Sequence, residues 1–147
     1  QGAVVPGKEY WPMVREICNR YGVILIADEI VCGFGRTGKM FGVNHWDVVP
    51  DIMTVAKGLV SSYLPIGATI VRDEIAGFFA GDQKYLRHIF TFSGHPVSAA
   101  AALANIKFHI PLLNILVDEL QETNLFNLSK NDFLAVNFDT KIQLCYQ

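Results

Sequence analysis

The stretch of sequence that decides the fold is Val23-Ile24-Leu25-Ile26-Ala27, which Gly22 precedes and the acidic pair Asp28-Glu29 follows. A short continuous apolar run that is rich in β-branched residues is typical of a buried strand in a parallel sheet. Polar side chains placed just after such a strand lie where α/β sheets gather their ligand-binding groups. Asp28 is therefore the first candidate site residue.

Further predicted elements flank this strand on both sides. Apolar residues at helical spacing from Tyr10 to Tyr21, with Gly22 after them, predict an amphipathic helix that ends at a glycine. The remaining predictions are strands over 52–56 and 68–71 and a short helix capped by Asp73 and reaching Phe79. A further helix is predicted to begin at Pro96, to be interrupted at Pro111 and to continue over Leu112 to Leu120; its packing stripe is Val97, Ala100, Ala101, Ala104 and Phe108. This order predicts an α/β fold with a mostly parallel sheet flanked by helices.

The composition narrows the classes of partner. The chain has 147 residues, of which 51% are hydrophobic and 18% charged, and its net charge is −2. Because no basic run is available to follow phosphates, we expect neither a nucleic acid nor an anionic membrane surface as a partner. So few charges on so apolar a chain indicate a hydrophobic partner surface instead.

The cysteines, the histidines and the hydropathy bear in turn on the compartment, on metal binding and on membrane insertion. Three cysteines without a CxxC pair argue against a disulfide framework or a zinc site and favour a reducing compartment, so we expect the cytoplasm. The four histidines lack the spacing of metal ligands, and we expect no metal. No apolar stretch approaches the roughly 20 residues of a membrane span, and no signal peptide is recognisable.

Lys57 follows the second predicted strand as Asp28 follows the first. A carboxylate and an amine at one sheet edge could form an ion pair. They could also serve an aldehyde cofactor, because a lysine among apolar residues can form a Schiff base with a carbonyl. Pyridoxal phosphate needs both groups: the lysine holds the aldehyde carbon and an aspartate keeps the pyridine nitrogen protonated.

A glycine-rich loop lies between these two residues. Gly33-Phe34-Gly35-Arg36-Thr37-Gly38 has the pattern G-x-G-x-x-G of dinucleotide-binding loops. We do not favour a dinucleotide-binding site, because residues intervene between the strand and the first glycine and no good helix start follows the last glycine. A kinase interpretation of Val55-Ala56-Lys57 fails, because the H-R-D and D-F-G motifs are absent.

Three ordered motifs in the chain resemble those of the pyridoxal-phosphate-dependent class III aminotransferases, and among them the omega-amino-acid:pyruvate type. They are Ile26-Ala27-Asp28-Glu29-Ile30-Val31-Cys32-Gly33-Phe34-Gly35-Arg36-Thr37-Gly38, Pro50-Asp51-Ile52-Met53-Thr54-Val55-Ala56-Lys57-Gly58-Leu59 and Phe90-Thr91-Phe92-Ser93-Gly94-His95-Pro96. The resemblance runs from about Val4 to about Phe108. It implies part of the large domain of a fold-type-I enzyme.

The resemblance also implies roles for four residues. Lys57 matches the lysine that holds the cofactor aldehyde and moves a proton at the substrate α-carbon. Asp28 matches the partner of the pyridinium nitrogen, and Ile30 falls where the family places a branched residue against the ring. Thr91 matches a threonine that binds the cofactor phosphate of the neighbouring subunit, so the resemblance implies a homodimer.

Simpler roles compete with these assignments. Lys57 could be a surface or ion-paired lysine, Asp28 a loop cap and Thr91 a plain strand residue. We favour a structural role over a catalytic one for Glu29, because carboxylates near a site usually hold a network. For Arg36 we favour bracing of the loop over substrate binding.

The function implied is a ping-pong transfer of an amino group from an amino acid or amine to a keto acid such as pyruvate. We expect residues 1–108 to be a partial cofactor-binding domain and 109–147 a divergent tail that resembles nothing in the family, so that the chain is truncated. One alternative is a non-catalytic fragment or interaction subunit that lends Thr91 to another chain. Another is a different reaction on the same fold, by an aminomutase, racemase or decarboxylase.

Overall fold

One helix, three strands and two further helices follow one another in the part of the chain that the structure, a computed structural model, describes: residues 4–82, 84–88 and 90–122. The elements are α1 (Tyr10–Tyr21), β1 (Ile26–Asp28), β2 (Ile52–Val55), β3 (Ala68–Val71), α2 (Asp73–Gly77) and α3 (Pro96–Glu122), with 3₁₀ segments at Gly42–Trp46 and Lys57–Leu59. This arrangement confirms the α/β class. The predicted boundary between 1–108 and 109–147 stays a prediction, because α3 crosses residue 108 and residues 123–147 lie outside the described ones.

The three strands form one sheet in the order β1-β2-β3. β1 and β2 are parallel, with Asp28 opposite Thr54, whereas β2 and β3 are antiparallel, with Val55 opposite Ala68. The sheet of the described residues is therefore mixed rather than mostly parallel. The connection after β2, residues 56–67, is much shorter than residues 29–51, which join the parallel pair, and a parallel pairing requires a long crossover.

The first strand is shorter and less buried than its sequence predicts. It begins at Ile26 rather than Val23, and Ile26 is 58% exposed while Ala27 is 1% exposed. The amide of Leu25 donates to the carboxylate of Asp51 at 2.8 Å instead of to a strand. The prediction of a strand buried on both faces is wrong for the described residues, because β1 has one paired neighbour and an open face.

α1 follows its prediction in both length and ending. The helix covers Tyr10–Tyr21, with Cys18 on its buried side. Gly22 adopts the left-handed conformation at φ 66°, and its amide donates to the Cys18 carbonyl. A glycine fits this position because it meets no steric penalty at positive φ.

α2 and α3 depart from their predictions in detail. Asp73 is the first residue of α2 and not its cap, because the extended backbone at Arg72 holds the capping position. α3 begins at Pro96 and continues beyond Pro111 as predicted, but it is one helix without the predicted interruption at Pro111. A proline within a helix removes one backbone hydrogen bond, and it can be accommodated without ending the helix.

The core lies where the strands, the glycine-rich loop and α3 meet. Its buried residues are Ala27, Phe34, Met40, Phe41, Val43, Met53, Val55, Leu59, Val60, Ala68 and Ala102. α3 contributes Ala102 together with Ala101 and Ile106, whereas Val97 and Phe108 of the predicted stripe are mostly exposed. The predicted stripe is therefore wrong in all but Ala101, because the face that packs on the core is rotated toward Ala102.

Candidate functional site

The carboxyl ends of β1 and β2 bring two of the predicted site residues to one edge of the sheet, here called the carboxyl edge. Asp28 is the last residue of β1 and pairs in register with Thr54 of β2. Lys57 begins the 3₁₀ turn Lys57–Leu59, two residues after β2 ends. Because these strands are parallel, Asp28 and Lys57 follow neighbouring strand ends, and both residues are exposed.

The Asp28 carboxylate has a local hydrogen bond and no ionic partner in the described part of the chain. Its Oδ1 accepts from the backbone amide of Ile30 at 3.0 Å, which fixes the start of the following loop. No ion pair joins Asp28 to Lys57 among the described residues. The simple ion pair considered from the sequence is therefore not formed here, and the carboxylate is accessible to a ligand. Ile30 itself is half-buried beside it.

The backbone of Lys57 has an uncommon conformation. Its φ is 46°, in the left-handed region, which residues other than glycine, asparagine and aspartate seldom adopt. The next residue, Gly58, passes so close to the glycine-rich loop that a Cβ at this position would lie 2.9 Å from Cβ of Phe34 and 3.1 Å from the carbonyl oxygen of Gly33. The Lys57-Gly58 step therefore has to carry glycine in its second position.

Glu29, the neighbour of Asp28, has the structural role that the sequence favoured. It is 3% exposed, and its two carboxylate oxygens accept the amides of Gly42 at 2.9 Å and Val43 at 2.8 Å. Its own amide donates to the carbonyl of Thr54 at 2.9 Å. With both oxygens bonded to the backbone of the 3₁₀ segment Gly42–Trp46, Glu29 ties this segment to the sheet.

The glycine-rich loop folds back on itself and does not open a helix. The amide of Phe34 donates to the carbonyl of Met40 at 2.6 Å, and the 3₁₀ segment Gly42–Trp46 follows. This geometry lacks the helix N-terminus that a dinucleotide-binding loop requires. Arg36 is exposed and makes no hydrogen bond or ion pair with other described residues, so the bracing role expected for it is not observed there.

Thr91 lies apart from the carboxyl edge along the chain, in the turn that precedes α3. It is exposed, and the turn is closed by Ser93, whose Oγ accepts from the amide of Phe90 at 3.1 Å and whose amide donates to the Phe90 carbonyl. The extended conformation considered as the simpler role for Thr91 is not observed, because residues 91–94 form a turn.

Asn105 is a residue near the candidate site that the sequence did not single out. From α3 its Nδ2 donates to the carbonyl oxygens of Gly58 at 2.8 Å and Leu59 at 3.0 Å, directly after Lys57. The signal that could have found it is a lone amide directly after the alanine-rich run 99–104, inside a helix, where asparagine is unfavourable.

Asp51, at the opposite edge of the sheet, was also missed. Its carboxylate accepts from the Leu25 amide at 2.8 Å, from Arg15 at 2.8 Å and from Arg72 at 3.0 Å. Burial alone would raise the pKa of Asp51, but these hydrogen bonds outweigh it and hold the pKa below its ordinary value. The hydrogen bond to Asp51 raises the pKa of Arg72 in turn.

A cavity of about 350 Å³ lies at this same edge, which we call the amino edge. Its lining residues are Arg15, Cys18, Asn19, Gly22, Val23, Ile24, Asp51, Arg72, Glu74 and Ile75. Its arginines are paired with the acidic side chains of Asp51 and Glu74. The groups with reactive chemistry lie at the carboxyl edge instead.

The described residues contain neither a metal-binding cluster nor a membrane-spanning helix. No group of three or more His, Cys, Asp or Glu residues in that part of the chain is arranged to hold a metal ion. No helix there is both long and apolar enough to cross a membrane.

Comparison with known proteins identifies the family. The family model for class III aminotransferases matches residues 1–124. The chain belongs to this family, and the resemblance noted in its sequence is confirmed.

Aminotransferases of several substrates are among the similar curated proteins. The putrescine–pyruvate aminotransferase of Pseudomonas aeruginosa is 51% identical over 107 residues, which are 72% of this chain and 23% of that relative. The taurine–pyruvate aminotransferase of Bilophila wadsworthia is 47% identical over 110 residues, 72% of this chain and 24% of the relative. This chain therefore spans about a quarter of the length of the relatives it matches.

Solved structures of transaminases share the fold. A thermostable (S)-enantioselective omega-transaminase from Thermomicrobium roseum superposes with a TM-score of 0.72 at 45% identity, covering 77% of this chain and 25% of that one. A transaminase from the marine bacterium Virgibacillus gives a TM-score of 0.67 at 44% identity, covering 84% and 26%. The described residues thus have the fold of part of a transaminase.

Proposed function

We propose that this chain supplies the cofactor-binding lysine of a pyridoxal-phosphate-dependent aminotransferase, which transfers an amino group from an amine or amino acid to a keto acid such as pyruvate. One observation carries the proposal: an exposed amine and an exposed carboxylate, Lys57 and Asp28, follow neighbouring parallel strand ends without pairing with each other. Membership of the class III family supports the reaction class.

The residues at the carboxyl edge fit the chemistry of pyridoxal phosphate. When bound, this cofactor acts as an electron sink for the reacting carbon of the substrate. The Lys57 amine can take the aldehyde, because Lys57 begins a short turn next to a core of buried apolar residues. The Asp28 carboxylate can accept a hydrogen bond from a protonated ring nitrogen, since the Ile30 amide is bonded to one of its oxygens and the group is exposed.

Two further residues complete the proposed site. The branched side chain of Ile30, half-buried two residues after Asp28, would lie against the face of the ring. Thr91 would donate to the cofactor phosphate of a neighbouring subunit, so we propose a homodimer. Its position in an exposed turn supports a role toward another molecule, because no described residue of its own chain is hydrogen-bonded to its side chain.

Lys57 would also act in proton transfer. An amine that leaves the cofactor when the substrate amine takes its place is free to remove a proton from the substrate α-carbon and to return it at the neighbouring cofactor carbon. The left-handed backbone at Lys57 and the close contact of Gly58 with Phe34 support this role, because they limit where the amine can move.

The proposed substrate class is taken from the names of the relatives. The Pseudomonas and Bilophila proteins are named for putrescine and for taurine, in each case with pyruvate. Both donors carry a primary amine at the end of a short chain. We therefore propose a terminal amine as donor and pyruvate as acceptor.

The decisive experiment is site-specific trapping of the cofactor on the full 147-residue chain. The chain is mixed with pyridoxal phosphate, its visible absorbance is recorded, borohydride is added, and the modified lysine is located by peptide mass spectrometry. We expect a visible band and a label on Lys57, and Lys57→Ala should abolish both. Lys8→Ala, at an exposed lysine before α1, is the matched control and should change neither.

Several outcomes would contradict the proposal. A visible band that survives in Lys57→Ala, or a label distributed over other lysines, would show that the cofactor is bound nonspecifically. Absence of any band would favour a non-catalytic chain. If the band is lysine-dependent, incubation with a diamine and pyruvate should yield alanine, and failure to form alanine would favour another reaction of the same fold.

A further inference from the structure

Asn105 makes hydrogen bonds with three residues of the segment that follows Lys57, as donor to two of them and as acceptor from the third. Its Nδ2 donates to the carbonyl oxygens of Gly58 at 2.8 Å and of Leu59 at 3.0 Å. Its Oδ1 accepts from the hydroxyl of Ser61 at 2.8 Å. One side chain of α3 thus binds three positions of a segment that is more than forty residues earlier in the chain.

The position of Asn105 in α3 is otherwise unfavourable. Asparagine is a poorer helix former than the alanines that precede it, because its amide competes for backbone groups. Here the amide is directed away from its own helix and toward the 3₁₀ turn Lys57–Leu59. A half-buried amide with both ends bonded therefore offsets the lower propensity of its position.

The turn needs such support because Lys57 is in a strained conformation. A left-handed backbone at a lysine, here φ 46°, persists only where its surroundings hold it. Gly58 is held on one side by Phe34, to which a Cβ at residue 58 would approach within 2.9 Å. On the other side Asn105 holds the carbonyls of Gly58 and Leu59. The backbone after Lys57 is clamped between the glycine-rich loop and α3.

We propose that Asn105 is the positioning residue of Lys57: it fixes the turn after the lysine, so that the amine is presented to the cofactor aldehyde in one orientation. The inference rests on the proposed function of Lys57. Asn105 itself is not assigned any contact with cofactor or substrate, and its effect passes through the two carbonyl bonds.

The test compares Asn105→Ala with Leu103→Ala in the full 147-residue chain. Leu103 lies on the same helix and is exposed, so its truncation controls for changes in α3 alone. Each chain is titrated with pyridoxal phosphate, and visible circular dichroism is recorded, because the cofactor is achiral and gives a signal only when it is held in a fixed orientation. For Asn105→Ala we expect roughly tenfold weaker binding and loss of most of this signal per bound cofactor. In Leu103→Ala the affinity for the cofactor and the visible signal per bound cofactor should both stay within about twofold of the wild type.

The signal separates positioning from a merely structural role. A structural role would lower the unfolding temperature and leave the visible signal of the bound cofactor unchanged. If Asn105→Ala does not fold by far-ultraviolet circular dichroism, Asn105→Asp is used, which keeps the size and the acceptor for Ser61 and removes both donors. It should give the same loss of binding and of visible signal.

The outcomes distinguish this inference from the proposed function. If the wild-type chain shows no lysine-dependent band, the proposed function fails and the inference with it. If the band depends on Lys57 but its affinity and visible circular dichroism are unchanged in both Asn105 variants, only the assignment of Asn105 is overturned.

Discussion

At the amino edge of the sheet Asp51 is buried and accepts hydrogen bonds from a backbone amide and two arginines, whereas at the carboxyl edge Asp28 and Lys57 are exposed and do not pair with each other. Both edges are formed by the same strands. At the amino edge the charge of Asp51 is paired with two arginines, whereas at the carboxyl edge the charges of Asp28 and Lys57 are available for a ligand. Asp51, which stabilises the fold, and the candidate reactive pair Asp28 and Lys57 therefore lie at opposite ends of β1 and β2.

The largest expected effect is the removal of Asp51. Asp51→Ala leaves Arg15 half-buried without its carboxylate and removes the acceptor of the Leu25 amide, so we expect the free energy of unfolding to fall by about 3–5 kcal/mol. Urea denaturation measures it. Asp82→Ala, at an exposed aspartate, is the control and should cost no more than about 0.5 kcal/mol. Equal effects in the two variants would remove the distinction between paired and unpaired charges.

A smaller loss is expected from Glu29, which lies at the carboxyl edge but is bonded like Asp51. Glu29→Ala leaves the amides of Gly42 and Val43 without their acceptors, and we expect a cost of about 2 kcal/mol in thermal or urea unfolding. Cofactor binding per folded chain should persist. If instead Glu29→Ala keeps full stability and loses the lysine-dependent band, Glu29 takes part in cofactor binding rather than in stabilising the fold. It would then be grouped with Asp28 and Lys57 and not with Asp51.

The pH dependence of stability gives a third test. The pKa of Asp51 is lower in the folded chain than its ordinary value, so the unfolded chain binds the proton more readily. The stabilisation is present above the unfolded pKa of about 3.9 and is lost as the pH falls through the folded value. We expect the free energy of unfolding to decrease with falling pH in this range, and to decrease less in Asp51→Asn. A similar acid sensitivity of both proteins would assign it to other carboxylates.

The smallest expected effects on stability are at the two exposed residues of the carboxyl edge. Asp28→Ala and Lys57→Ala should each change the free energy of unfolding by less than about 1 kcal/mol, because neither side chain is buried or ion-paired among the described residues. Both should weaken cofactor binding sharply in the absorbance titration. A large loss of stability in either variant would mean that Asp28 or Lys57 stabilises the fold as Glu29 does.

The sequence predicted the parts of the molecule that depend on local pattern. The strand-then-charge pattern placed Asp28 and Lys57 at neighbouring strand ends, and the ends of α1 and the start of α3 follow from Gly22 and Pro96. Their roles, like the location of the protein in the cytoplasm, stay predictions. What local pattern specified was therefore position along an element, not function.

The parts that were missed depend on contacts between distant segments. In the sequence Asp51 is only the polar residue before a strand, because Arg15 and the Leu25 amide come close to it only in the folded chain. In the sequence Asn105 is only the residue after an alanine-rich run, and its role becomes visible when the fold places the turn after Lys57 beside it. The mixed sheet was missed for a similar reason, because strand direction is set by the connection after β2 rather than by the strands themselves.

The contact of Gly58 with Phe34 has a consequence for how such a chain can change during evolution. Because a Cβ at residue 58 would meet both the Phe34 side chain and the Gly33 backbone, the lysine turn and the glycine-rich loop cannot drift independently. A mutation that reshapes the loop would be transmitted to Lys57 as a displacement of its backbone. New substrate preferences should therefore be acquired by changes elsewhere, while the Lys57-Gly58 pair and the first part of the loop are inherited as one unit.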